Sequence, residues 1–98
     1  MMTNERKRDI VRSAKFRRDV RRATKQGKNI ALLEWVINQL ADDKPLPKKH
    51  RDHALSGDWK GHRECHITPD WLLVYSKSDK GELVLALARA ASHSDLDF

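Results

Sequence analysis

Between His53 and Tyr75 the chain reads HALSGDWKGHRECHITPDWLLVY, and towards its end ARAASHSDLDF. These two stretches hold His53, His66, His93, Asp70, Trp59, Trp71, Arg63, Arg89 and Lys60. Imidazole is the side chain that changes charge nearest neutral pH, so histidines set beside an acid are suited to moving protons. Cleaving an RNA strand through its own 2′-hydroxyl needs a base for that hydroxyl proton and an acid for the departing 5′-oxygen. It also needs cations to hold the phosphate as charge builds. His53, His66, His93 and Asp70 are candidates for the proton work. Arg63, Arg89 and Lys60 are candidates for the phosphate. The competing reading is that the five histidines of this 98-residue chain are scattered over its surface.

A metal site is a second use for such residues. On a strand, His62 and His66 share a face but stand about 13 Å apart, too far to share one ion. Cys65 would face the other way, and the chain contains neither CxxC nor HExxH. No metal or other cofactor is expected. Cys65 reads as a small buried side chain. Trp59 and Trp71 have the ring faces on which unpaired bases stack, and they are equally natural core residues.

The elements that must position these groups can be read from periodicity. Residues 8–12 alternate as a short strand. Ser13 can cap a helix running to about Lys25, with Phe16, Val20 and Ala23 on one face. Arg17, Arg18, Arg21, Arg22 and Lys25 form a basic stripe on roughly the opposite face, suited to tracking phosphates without selecting a sequence. Gly27 ends that helix, and Asn29 can cap a second, from Ile30 to about Asp42, whose stripe is Ile30, Leu33, Val36, Ile37 and Leu40. Trp35 lies off that stripe. Pro45 and Pro47 stop the helix, and a loop follows. Three strands then run from Gly61 to Thr68, Trp71 to Ser76 and Glu82 to Ala90, joined at Pro69-Asp70 and at Ser78-Asp79-Lys80-Gly81. A polar tail closes the chain. The order β-α-α-β-β-β predicts an α+β fold in which two N-terminal helices pack on a small antiparallel sheet.

Composition limits the partners. A chain of 98 residues suits a single domain, residues 1–98. The net charge of +6 favours a polyanion, because neutralising phosphates releases counterions. No apolar run approaches the roughly 20 residues of a membrane span. MMTNERKRDI lacks a following apolar segment, which predicts no signal peptide, and one cysteine suits a reducing cytoplasm.

Over Leu46 to Phe98, the pattern LP…DHALSGDWKGHRECHITPDWLLVY followed by RAASHSDL resembles the YafQ-like branch of the RelE/ParE toxin superfamily. The preceding β-α-α segment agrees with it in layout. The resemblance implies a bacterial messenger-RNA interferase that cleaves mRNA in the ribosomal A site. It implies no metal, the 2′-OH as nucleophile, and a cyclic or 3′-phosphate end. The partners it implies are the ribosome with its rRNA, mRNA, and a cognate antitoxin that is often acidic. The family's site histidines fall on His53, His66 and His93, its acidic and aromatic site residues on Asp70 and Trp71, and its arginine on Arg89. His93 is then the general acid, with Asp70 or His66 as base and with His53 and Arg89 on the phosphate. Two departures stand out. Ala91 replaces the glycine usual before Ser-His, and Asp97 takes the place of a tail aromatic that Phe98 follows by one residue. Two alternatives stay open: a non-catalytic toxin of this fold that binds a protein such as gyrase, and a basic RNA-binding module without chemistry.

Overall fold

The computed structural model describes residues 7–96. Strand β1 (Asp9–Arg12) leads into helix α1 (Ala14–Lys25), and helix α2 (Ile30–Ala41) follows. Strands β2 (His53–Ala54), β3 (Arg63–Thr68), β4 (Trp71–Ser78) and β5 (Val84–Ala91) come next, then a short helix α3 (His93–Leu96). The sheet order is β1-β5-β4-β3-β2. β2 to β5 pair antiparallel, and β1 joins β5 in parallel, so this α+β fold is built on a five-stranded mixed sheet.

The helices form where their caps and stripes place them. The Ser13 hydroxyl accepts from the Phe16 N–H at 2.9 Å and donates to the Ala88 carbonyl at 2.8 Å, so one side chain starts α1 and ties it to β5. Asn29 accepts from the Leu32 N–H at 3.0 Å and starts α2. Gly27, with φ of 75°, makes the turn between the two helices.

β4 is buried on both faces and separates two cores. On the helix side, Trp71, Leu73 and Tyr75 pack with Cys65, Leu85 and Leu87 against Phe16, Leu33, Val36 and Leu40. On the other side, Leu72 and Val74 pack with Ala91, Leu96, Leu55 and Trp59. That second core is closed by two segments whose structure differs from the expectation. The region after α2, expected as a loop, contributes β2 along the edge of β3. The expected polar tail makes α3, because Ser92 accepts from the Asp95 N–H at 3.3 Å while Leu96 anchors below it.

Two register shifts lie in this sheet. One falls in β3 between His66 and Thr68, the other in β5 opposite Val74 and Tyr75. Bulges bend a strand and re-aim its side chains. Here one follows His66 and the other falls at Ala88 and Arg89, just ahead of the turn to His93.

At the far end of the sheet Arg8 is buried, donating to Asp43 at 2.7 Å and to the Ser78 carbonyl at 3.1 Å while its guanidinium pairs with Asp79 at 2.7 Å. Lys77 meets the same Asp43 oxygen at 2.6 Å. The hydrogen bond from Arg8 holds the Asp43 carboxyl well below the ordinary carboxylate range, with Lys77 adding to the effect and burial opposing it. A depressed folded-state pKa gives stability that is present at neutral pH and lost as the pH falls below the unfolded value of about 3.9. Asp43→Asn is therefore expected to be less stable than the parent at pH 7, with the gap narrowing towards pH 3, as read by urea unfolding at both. Asparagine tolerates the left-handed backbone at this position, where φ is 55°, so the comparison isolates the charge.

Candidate active site

Glu64 and His66 stand two apart on β3 and so share a face, the one turned away from α1 and α2. Glu64 is buried, with 3% of its surface exposed. Its Oε1 lies 3.5 Å from His53 Nε2 and 3.6 Å from His66 Nε2. The second carboxylate oxygen, Oε2, is buried with no hydrogen-bond partner among the described residues. His93, at the start of α3, brings its ring within 5.6 Å of the His66 ring, edge towards face. One carboxylate and three imidazoles from β2, β3 and α3 thus form a continuous set.

The tautomers follow from the neighbours. His53 Nδ1 faces the Arg51 carbonyl at 2.7 Å, and His66 Nδ1 faces the Pro69 carbonyl at 3.3 Å. A carbonyl only accepts, so each Nδ1 carries the hydrogen and donates it. The Nε2 atoms are left to take up and release protons, and both face Glu64. A carboxylate beside the proton-accepting nitrogen, rather than behind the opposite one as in a catalytic triad, stabilises the positive charge that arises when either ring takes a proton.

His50 supports this set from behind. It is buried, and its Nδ1–H donates to the His66 carbonyl at 2.6 Å while its ring lies 6.0 Å from Trp35. His62 packs its ring edge-on to Trp59 at 5.1 Å. Cys65 sits in the helix-side core, where burial pushes its thiol up and keeps it protonated. Among the described residues no three His, Cys, Asp or Glu side chains converge closely enough to hold a metal ion.

The model of a family described as the bacterial toxin of a type II toxin–antitoxin system, YafQ, matches residues 8–97. The chain belongs to the YafQ toxin family. The mRNA interferase toxin YafQ of Escherichia coli K12 is 38% identical over 90 residues, covering 91% of this chain and 95% of that one. The fold matches a crystal structure of the E. coli DinJ–YafQ toxin–antitoxin complex with a TM-score of 0.82 at 37% identity, over 92% of this chain and 97% of that one. It also matches a metal-bound toxin from Helicobacter pylori, with a TM-score of 0.84 at 44% identity, over 90% and 97% of the two chains.

Placing the expected YafQ-family residues in this structure separates them. His53, His66 and His93 come together. Asp70 does not join them: it is exposed in the turn after β3 and makes no hydrogen bond or ion pair among the described residues. Trp71, expected as a stacking surface, is instead 2% exposed in the helix-side core, because it opens the central strand on the face that α1 covers. Arg89, expected on the phosphate, instead grips buried Asp19 of α1 through Nε at 2.7 Å and Nη2 at 3.1 Å. Its hydrogen bonds to Asp19 push the guanidinium further up, with burial opposing them.

Arg63 corrects the expectation as well. It falls on the face opposite Glu64 and His66 and donates to Asp52 at 3.2 Å, beside the Tyr75 hydroxyl, which donates to the same oxygen at 2.6 Å. Lys60 is exposed after the turn that follows β2. Phe98 and Asp97 lie outside the described residues. Ala91, where the family has glycine, continues β5 opposite Leu72 with ordinary backbone, so the turn to His93 needs no glycine.

Glu64 was absent from the expected set. Its signal was in the sequence all the same: an acid two residues before a candidate histidine, in a run that reads as a strand, must share that histidine's face.

Proposed function

We propose that this chain is a ribosome-dependent endoribonuclease that cleaves mRNA in the ribosomal A site, and that a cognate antitoxin neutralises it. The observation that carries the reading is the ring contact of His66 with His93, with the Glu64 carboxylate beside His66 Nε2. His66 Nε2 takes the proton of a 2′-hydroxyl, and that oxygen attacks the adjacent phosphorus. The bond from phosphorus to the 5′-oxygen breaks, and His93 gives that oxygen its proton. The products are a 2′,3′-cyclic phosphate and a free 5′-hydroxyl. His53, on the far side of Glu64, faces the phosphate as charge develops on it. Asp70 is the weaker candidate for base because it makes no hydrogen bond or ion pair with an imidazole among the described residues.

Three further features support the reading. The names of the relatives describe an mRNA interferase toxin and a complex with an antitoxin. Exposed Arg17, Arg18, Arg21, Arg22 and Lys25 on α1 offer a surface for rRNA phosphates. The net charge of +6 suits both RNA and an acidic antitoxin, and each of these partners is cytoplasmic.

The test is to induce the chain in bacteria and map mRNA 5′ ends. New ends at codon-defined positions on translated messages support the proposal. Growth arrest with intact mRNA and damaged DNA would instead favour a protein target such as gyrase. Because the proposed chemistry rests on side chains, cleavage on purified ribosomes is expected to keep its rate when EDTA is added well below the magnesium concentration, which strips tighter-binding transition metals and leaves the ribosome its magnesium. Glu64→Gln keeps the shape but removes the charge beside both Nε2 atoms. It is expected to slow single-turnover cleavage about a hundredfold, within the range that general acid–base catalysis supplies, with little change in ribosome binding.

A further inference from the structure

A cavity of about 110 Å³ opens between α1 and α3, on the opposite side of the β4–β5 end from the imidazoles. Among its walls are Arg22, Lys28, Trp71 and Ser92, the residue immediately before His93. Two of these groups have hydrogens for which the described residues provide no acceptor. The indole Nε1–H of Trp71 is buried with no acceptor among the described residues, although buried polar groups are nearly always paired. The Lys28 ammonium lies 5.8 Å from the centre of the Trp71 ring and forms no ion pair among the described residues. The acids at the cavity are already engaged. Asp19 accepts from Arg89 and from the Ala90 N–H at 3.0 Å, and Asp95 meets Arg22 at 3.6 Å. The Arg22–Asp95 pair is half exposed on both sides, so an incoming anion can displace Asp95.

We infer that this cavity is a phosphate subsite, which takes a backbone phosphate of the bound RNA next to the nucleotide held between His66 and His93. Lys28 and the Trp71 N–H donate to the phosphate oxygens, and Arg22 turns from Asp95 to join them. The exposed cations of α1 lead an RNA strand to this point, and Ser92 links the subsite directly to His93. The inference rests on the RNA-cleaving function proposed above and names where the strand is gripped.

The experiment is a titration of the ¹⁵N-labelled full chain with a 2′-O-methyl RNA hexamer, which lacks the attacking hydroxyl and cannot be cleaved. The indole N–H signals and the His66 and His93 ring signals are followed together. The expected result is a shift of the Trp71 indole signal in step with the two imidazoles. In Lys28→Gln, RNA affinity is expected to fall about tenfold, and the slope of log affinity against log salt to drop by about one. A structural role for Lys28 would leave that slope unchanged. Trp71→Phe keeps the ring and loses only the donor, and a weaker binding in that variant agrees with the subsite.

Imidazole signals that move while Trp71 stays still, with Lys28→Gln binding as the parent does, overturn the subsite and leave the RNA-cleaving function intact. A Trp71 signal that moves with hexaglutamate peptide and not with RNA also overturns it, in favour of an acidic protein segment. If Trp71 responds to RNA while induced cells keep their mRNA intact, the subsite stands and the cleavage proposal falls.

Discussion

Changing both His66 and His93 to alanine is expected to leave cells that express the chain growing normally, with no new mRNA ends. Each ring is asked to move one proton, and a positioned acid or base contributes typically 10² to 10⁴ in rate. Residues that act as a unit are not additive, so either single change is expected to cost nearly as much as both. His66→Ala removes the base and the partner of Glu64 together. His93→Ala removes a ring on the surface and leaves Glu64 between His53 and His66, so it is the cleaner probe of the acid. The control is thermal unfolding: exposed His93 can be lost with little change in stability, whereas a large fall would move the explanation from chemistry to folding. A double variant as toxic as the parent would sink the assignment.

Asp19→Ala is expected to be the most destabilising single change outside the hydrophobic cores. Asp19 is 5% exposed on the face of α1 turned towards β5. It accepts from two Arg89 nitrogens and from the Ala90 N–H, all from β5. Its removal leaves a buried amide and a mostly buried guanidinium without an acceptor. Stripping one partner from a buried pair costs about 3–5 kcal/mol, and the part exposure of Arg89 puts this case near about 3. For a chain of this size that corresponds to a fall in Tm of about 12–24 °C. Because Arg89 lies four residues before His93, cleavage measured well below the new Tm is also expected to drop. Calorimetry and ribosome cleavage on the same sample would separate the two losses. A Tm within a few degrees of the parent would show that the pair does little for stability.

Much of this architecture was legible from local chemistry. Ser13, Gly27 and Asn29 mark helix ends because capping depends on residues three or four apart. The strands of the β3–β4–β5 meander show in their periods and turns. What escaped depends on contacts between distant positions. The parallel pairing of β1 with β5 has no local signature, since a four-residue strand reads the same in either direction. The helix after Ser92 is too short for periodicity and is held by Leu96 against the second core. In the site, the histidines stood out by type, but the partners of Arg89 and Trp71 did not. Asp19 is an acid in a basic helix, and only the docking of α1 on β5 shows that it faces inward. Trp71 could be read as core or platform until the covering of its face by α1 decided between them. Glu64 was readable from the two-residue period of β3 alone.

The joining of β1 and α1 to β5 also bears on how the protein comes to be active. Asp19 and Ala90 lie 71 positions apart, and Ser13 and Ala88 lie 75 apart. Contacts of such long sequence separation form late and slow a small domain's folding towards the millisecond-to-second range. The turn to His93 continues from β5, so the imidazole pair can assemble only after that strand has found its place beside β1 and α1. Harm therefore lags behind synthesis. An antitoxin that engaged the chain before that strand docks would meet a protein that cannot yet cut.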